Sequence, residues 1–336
     1  MIKYIKPVYA DSFKPIYNQI RRDFGLVGDI FKMHSPSPLL LSGVWAAFRE
    51  TQLVGAVPRD LKEAVAVAVS KVNQCPFCVD AHSAMLIAAG NKEVANKINE
   101  NSLHEIANSE MRSMMEWTLA TRSPGSPLLV NRPFSDQFAP EVLGTVVITN
   151  YINRMMDVLL DQSFIPKNNS LRTIIFKFGA VYLRSTVRRS KQPGESLPFL
   201  PVAPSLPENL RWAKSHREIS RAFASLAASA NAAGESVMDQ KAREVVQRYL
   251  DNWDGKDPGI SRKWAEQAVE SLSGQSRIAA KLALLTAIAP YQVDEELVQQ
   301  FRTAYPEDVQ LLHVLAWSSF TAACKIGTWC MLADER

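Results

Sequence analysis

The chain has 336 residues, is 47% hydrophobic and carries a formal net charge of +4. That length and apolar share suit two domains with buried cores, and so mild a charge gives no footprint for nucleic acid. No apolar run approaches the ~18 residues of a membrane span, and Met1 to Ala10 lacks the apolar stretch of a signal peptide, so the expectation is a cytoplasmic protein without an integral membrane segment.

Helical periodicity dominates from the start. Asp11 to Phe24 spaces its apolar residues at three and four, as an amphipathic helix does. Ala64 to Val69 (AVAVAV) alternates strictly and would suit a strand. Alanine is depleted in strands, however, and Pro58-Arg59-Asp60 offers a helix start, so the segment reads as helix.

Next comes Cys75-Pro76-Phe77-Cys78, followed by His82. Four cysteines in the whole chain are too few for a secreted disulfide framework, so a close pair reads as redox-active or metal-binding. If Cys75 opens a helix, Cys78 lies ~60° from it around the axis and His82 ~40° beyond Cys78, so all three share one face. Cysteines three apart in a helical turn have Cα atoms roughly 5 to 5.5 Å apart, within disulfide range. Pro76 fits the first helical position, and the free amides of that turn favour a thiolate at neutral pH. Competing readings are a structural zinc site, for which only three ligands are at hand; a glutaredoxin-type motif, which needs a βαβ setting; and inert buried cysteines. Covalent haem attachment is excluded because Val79, not histidine, follows Cys78.

Downstream, Ser83 to Asn99, Ser109 to Thr121, Glu141 to Leu160 and Leu171 to Arg188 carry the same helical spacing. The basic run Lys177 to Lys191 reads as a solvated helix face leading into a linker, with a membrane surface or an acidic partner as the other reading. Pro193 to Pro207 holds five prolines in fifteen residues, which excludes helix or central strand and marks a boundary between halves. Ala222 to Ala233 and Ile278 to Ala289 suit closely packed helices. His34, His104, His216 and His313 are scattered without metal-ligand spacing, Cys324 and Cys330 look structural, and no Gly-rich loop implies a nucleotide cofactor.

The two halves resemble each other in pattern. A shift of 180 sets Val57 against Val237 and places Cys75 on Gly255, Cys78 on Pro258, His82 on Arg262 and Glu63 on Arg243. Asn150-Tyr151-Ile152 matches Ser319-Phe320-Thr321 at a shift of 169. The expectation is a duplication in which only the first copy kept the chemistry, with domains at 1–190 and 208–336 and a Pro-rich linker at 191–207.

Glu63, then Cys75-Pro76-Phe77-Cys78, then His82 resembles the signature of the AhpD-like alkylhydroperoxidase and carboxymuconolactone decarboxylase family, and Tyr151-Ile152-Asn153-Arg154 is similar to that family's last core helix. The resemblance covers roughly residues 11 to 165, with only pattern beyond about 205. It implies an all-α fold, here an AhpD-like helical bundle duplicated in tandem as an internal pseudo-dimer, which associates further into a homo-oligomer. It also implies Cys78 as the sulfur that attacks peroxide, Cys75 as its resolving partner, and Glu63 with His82 as proton relay. The family's second histidine between the cysteines is replaced by Phe77.

The expected function is therefore a thiol-dependent peroxidase or disulfide oxidoreductase with no cofactor or metal, taking a peroxide and re-reduced by a dithiol donor of lipoyl or thioredoxin type. The alternatives are a cofactor-free lyase or isomerase using Glu63 and His82 as acid and base, and a non-catalytic helical binding protein.

Overall fold

The computed structural model describes residues 1–161, 181–202 and 205–331. Among them the structure is helical, and the one β-type pairing is a bridge between Ile2 and Leu160. The first half comprises α1 (Lys14–Phe24), α2 (Pro38–Phe48), α3 (Arg59–Val72), α4 (Pro76–Ala89), α5 (Lys92–Asn99), α6 (Ser109–Leu119) and α7 (Ala139–Leu159). The second comprises α8 (Arg217–Val237), α9 (Gln240–Asp251), α10 (Gly274–Ile288), α11 (Glu295–Ala304) and α12 (Asp308–Trp329), besides short helical turns.

The all-α expectation holds, and the alternating AVAVAV segment lies inside α3. Both its valines and its alanines are buried, because α4, α6 and α7 pack around α3 on several sides. Alternation here reflects burial all round rather than one wet face. The stretch expected as one helix from Ser83 to Asn99 is two. Gly90, at φ 115°, ends α4 in the left-handed conformation that only glycine adopts freely, and the Asn91 side chain then caps α5 by accepting from the Val94 amide at 3.3 Å. The helix expected from Leu171 to Arg188 lies outside the described residues up to position 180, and its remainder, 181–188, is helical.

Duplication is visible in how the long helices meet. α7 and α12 begin at Ala139 and Asp308, the same offset of 169 that relates the Tyr151 and Phe320 segments. The two helices pack against each other, as do α2 and α8, so equivalent elements face one another across the middle of the molecule. Gly43 of α2 permits this approach: a Cβ there would meet the Leu226 backbone of α8 at 3.0 Å.

The Pro-rich segment is strapped to the first half by buried charge. Arg49, fully buried in a π-helical turn after α2, bonds to Asp23 at 2.7 Å, Glu50 at 2.8 Å and Glu195 at 3.0 Å. Glu50 in turn accepts from the Ser196 hydroxyl at 2.6 Å and the Gly194 amide at 2.8 Å. Buried charge persists only when so completely paired.

Candidate active site

α3 and α4 form an antiparallel hairpin whose turn carries Gln74 at φ 57°, and the Cys75 amide folds back to the Ser70 carbonyl at 3.0 Å. Cys75 is the N-cap of α4 and Pro76 its first residue, as the missing amide and fixed φ of proline favour. The two sulfurs are joined in a disulfide, with Cα atoms 5.3 Å apart. From Cys78, steps of four and three lead to His82 and Met85 along one face of α4.

Glu63, one helix away on α3, is fully buried and accepts from His82 Nδ1 at 2.8 Å. Because an ionised carboxylate can only accept here, the proton of this bond sits on Nδ1, and Nε2 is the nitrogen left to face other groups. The other Glu63 oxygen is held by the Arg59 guanidinium at 2.6 Å, one helical turn back on the same face. Burial pushes the Glu63 carboxyl upward, but Arg59 and His82 outweigh it, and the net displacement is below the ordinary carboxylate range. Glu63 is thus a buried anion between two donors, and the four residues singled out from sequence occupy one local unit.

Arg59 was not among them. A buried Glu63 needs a partner, and a basic residue four positions earlier on the same helix was the signal available in the sequence.

Cys78 and His82 line a cavity of about 440 Å³, whose walls are otherwise mostly hydrocarbon: Phe24, Phe48, Phe77, Met85, Ile152 and Met156 among others. Lys32 and Asp29, 3.3 Å apart, are its charged members. Cys75 is sealed behind Cys78 and does not reach this space. Such a chamber has room and apolar lining for a molecule with an apolar body, and one sulfur lies in its wall.

The scattered residues remain apart. His34 is buried against the Ile30 carbonyl at 2.8 Å and the Tyr151 hydroxyl at 2.7 Å, while His313 bonds to Ser236 at 2.8 Å. Cys324 and Cys330 are buried and stand outside the Cys75–Cys78 disulfide.

The sequence profile of the Carboxymuconolactone decarboxylase family matches residues 41–116, which span α2 through most of α6 and hold the whole hairpin. An alkyl hydroperoxide reductase of Mycobacterium tuberculosis is 35% identical over 338 aligned positions, covering 99% of this chain and 96% of its relative. The chain belongs to the AhpD-like alkylhydroperoxidase and carboxymuconolactone decarboxylase family. Likeness to this relative runs through both halves, so the second bundle is shared with it rather than peculiar to this chain. Within the family frame, Phe77 is where this chain departs from the alkylhydroperoxidase motif, and the ring lines the cavity beside Cys78.

Proposed function

We propose that this protein is a thiol peroxidase of alkylhydroperoxidase type that acts on organic hydroperoxides with an apolar body. The observation that carries the reading is the adjacency of the Cys75–Cys78 pair to the His82–Glu63–Arg59 chain at the wall of a hydrocarbon cavity. The name of the mycobacterial relative points the same way.

In the reduced enzyme, Nε2 of His82 takes the Cys78 thiol proton, and the imidazolium so formed is stabilised by the Glu63 carboxylate. The thiolate attacks the terminal peroxide oxygen, the O–O bond breaks, and the departing alkoxide receives a proton from His82. Cys78 is left as sulfenic acid and the product is an alcohol. Cys75 then attacks the Cys78 sulfur, water leaves, and the disulfide forms. The two electrons are restored by a dithiol donor, of lipoyl or thioredoxin type, through exchange at the disulfide. Cys78 takes the attacking role because it lines the cavity, and Cys75 the resolving role because it is covered.

The same His82–Glu63 pair would also serve proton transfer in a lyase or isomerase, and the thiols separate the two readings. Cumene hydroperoxide consumption with dithiothreitol as reductant, measured on wild type, Cys78→Ser and Cys75→Ser, is the test. Peroxidase chemistry requires loss of turnover in Cys78→Ser, whereas reduced Cys75→Ser, freed of dithiothreitol, should still consume one equivalent of peroxide and stop at the Cys78 sulfenic acid without forming the disulfide. Undiminished turnover in Cys78→Ser rejects it.

A further inference from the structure

A second cavity, of about 410 Å³, opens on the far side of Arg59, between residues 54–60 and residues 187–191. Its character is opposite to that of the first. Arg59, Lys62, Arg188, Arg189 and Lys191 line it, against the single carboxylate of Asp60. Two of these cations are already matched, Arg59 by Glu63 and Lys62 by Glu141. The other three have no carboxylate partner among the described residues. Arg188 donates to the Ala88 carbonyl at 3.0 Å, Lys191 to the carbonyls of Thr186 and Arg189 at 2.7 and 2.8 Å, and Arg189 is exposed. With Asp60 counted, the walls keep an excess of about two positive charges.

We propose that this cavity is a binding site for a dianionic oxyanion of the phosphate or sulfate type, free or as part of a larger molecule. Charge balance selects a dianion over a monoanion, and planar guanidinium groups on two sides suit tetrahedral oxyanions. The amides at the start of α3, which no side chain caps, add partial positive charge on the same wall. Crowding is felt by Lys191: burial first, and then Arg59, Arg49 and Arg189, hold its ammonium down to about 8, while Asp23, which pulls it upward, is itself bound by Arg22 and Arg49. An anion in the cavity relieves that repulsion. Arg59 lies between the two chambers: it lines the basic one, and its guanidinium is 4.0 Å from the sulfur of Met85, a residue in the wall of the active-site cavity. An occupant of the basic pocket therefore competes with Glu63 for the same guanidinium.

Isothermal titration of the full-length protein with sodium sulfate and with sodium phosphate, against sodium chloride at matched ionic strength, tests the site without reference to turnover. Saturable one-site binding of both dianions at pH 7 is expected. It should weaken about tenfold or more in the Arg189→Ala/Lys191→Ala double variant, and measurably in Arg189→Ala, whose side chain is exposed and has no partner among the described residues. Sulfate, which does not titrate, should bind about tenfold more weakly at pH 9 than at pH 7 as Lys191 loses its proton. Absence of saturation, equal response to chloride, or undiminished binding by Arg189→Ala and the double variant would overturn the proposal. The urea midpoint of each variant separates lost binding from lost fold.

Discussion

Tyr151 and Phe320 occupy equivalent positions in the two halves and pack on each other, ring centroids 6.2 Å apart at 77°. A residue meets its own counterpart only near an axis that relates two copies, so this edge-to-face pair marks the pseudo-dyad of an internal dimer. Sequence had aligned the two residues at a shift of 169, and their helices start at that same offset. The Tyr151 hydroxyl reaches His34 and so ties the dyad to the segment flanking the active-site cavity.

Because the halves share this core, they should unfold together. Phe320→Ala removes a buried ring from the centre of it and should cost about 3 to 5 kcal/mol. Urea denaturation followed by both tryptophan fluorescence and far-ultraviolet dichroism should remain a single coincident transition at lower midpoint. Two separated transitions in the wild type would show that the halves do not form one cooperative unit.

His34 should make the protein acid-sensitive. Burial, opposed by the bond to the Ile30 carbonyl, lowers its imidazole to about 4, whereas in the unfolded chain it titrates near the ordinary value of ~6.5. Between those values the unfolded chain binds a proton that the folded chain does not, so stability falls as pH falls through this window. The loss reaches about 2 to 3 kcal/mol by pH ~4.5. His34→Gln, which keeps a donor and an acceptor, should abolish that part of the slope. The measurement is the unfolding free energy of wild type and variant at pH 7.5, 5.5 and 4.5, and equal slopes would contradict the assignment.

The legible part of this protein was its local chemistry. Cys75, Pro76, Cys78 and His82 are close in sequence, and one turn of helix fixes their relative geometry, so their common face follows from 3.6 residues per turn alone. The helix over Ala64 to Val69 was readable from alanine content even though its alternation argued otherwise. The pairing of Glu63 with His82 needed the motif as a whole, since only the α3–α4 hairpin brings the two together. What was not legible depends on contacts between distant segments. The Arg49 cluster draws on Asp23, Glu50 and Glu195, and no periodicity links those positions. The basic cavity likewise joins residues 54–60 to 187–191, and sequence showed only half of it, as a basic run that reads as a solvated helix face leading into a linker.

Glu63 and Arg59 should set the acid limb of activity. The Glu63 carboxyl lies below the ordinary range, so it is ionised, and supports both His82 and the fold, above the unfolded value of ~4.3; that contribution is lost as pH falls through the lower folded value. Arg59→Met leaves burial unopposed by the guanidinium and should move the acid limb of the kcat/KM profile upward in pH. Glu63→Gln should lower kcat/KM for peroxide by about 10²- to 10³-fold without preventing the disulfide from forming. Stopped-flow oxidation of the reduced proteins across pH 4 to 8 reads both effects, and an unshifted profile in Arg59→Met would remove Arg59 from the relay.

Ala81 lies on α4 between Cys78 and His82 and contributes a small side chain to the cavity wall. Enlarging it to leucine adds hydrocarbon inside the chamber and leaves the thiols and the relay in place. If the cavity holds the apolar body of the substrate, Ala81→Leu should lower kcat/KM for cumene hydroperoxide by about 10- to 100-fold and leave hydrogen peroxide, which needs no such space, within about twofold. Phe77, also in the wall, works in the opposite sense: Phe77→Ala removes apolar contact and should raise KM for the bulky hydroperoxide more than it lowers kcat. The ratio of the two substrates' kcat/KM, measured side by side for wild type and both variants, isolates cavity shape from the chemistry of the sulfur. A uniform loss across both peroxides in Ala81→Leu would mean that the cavity does not select the substrate and that peroxide reaches Cys78 by another route.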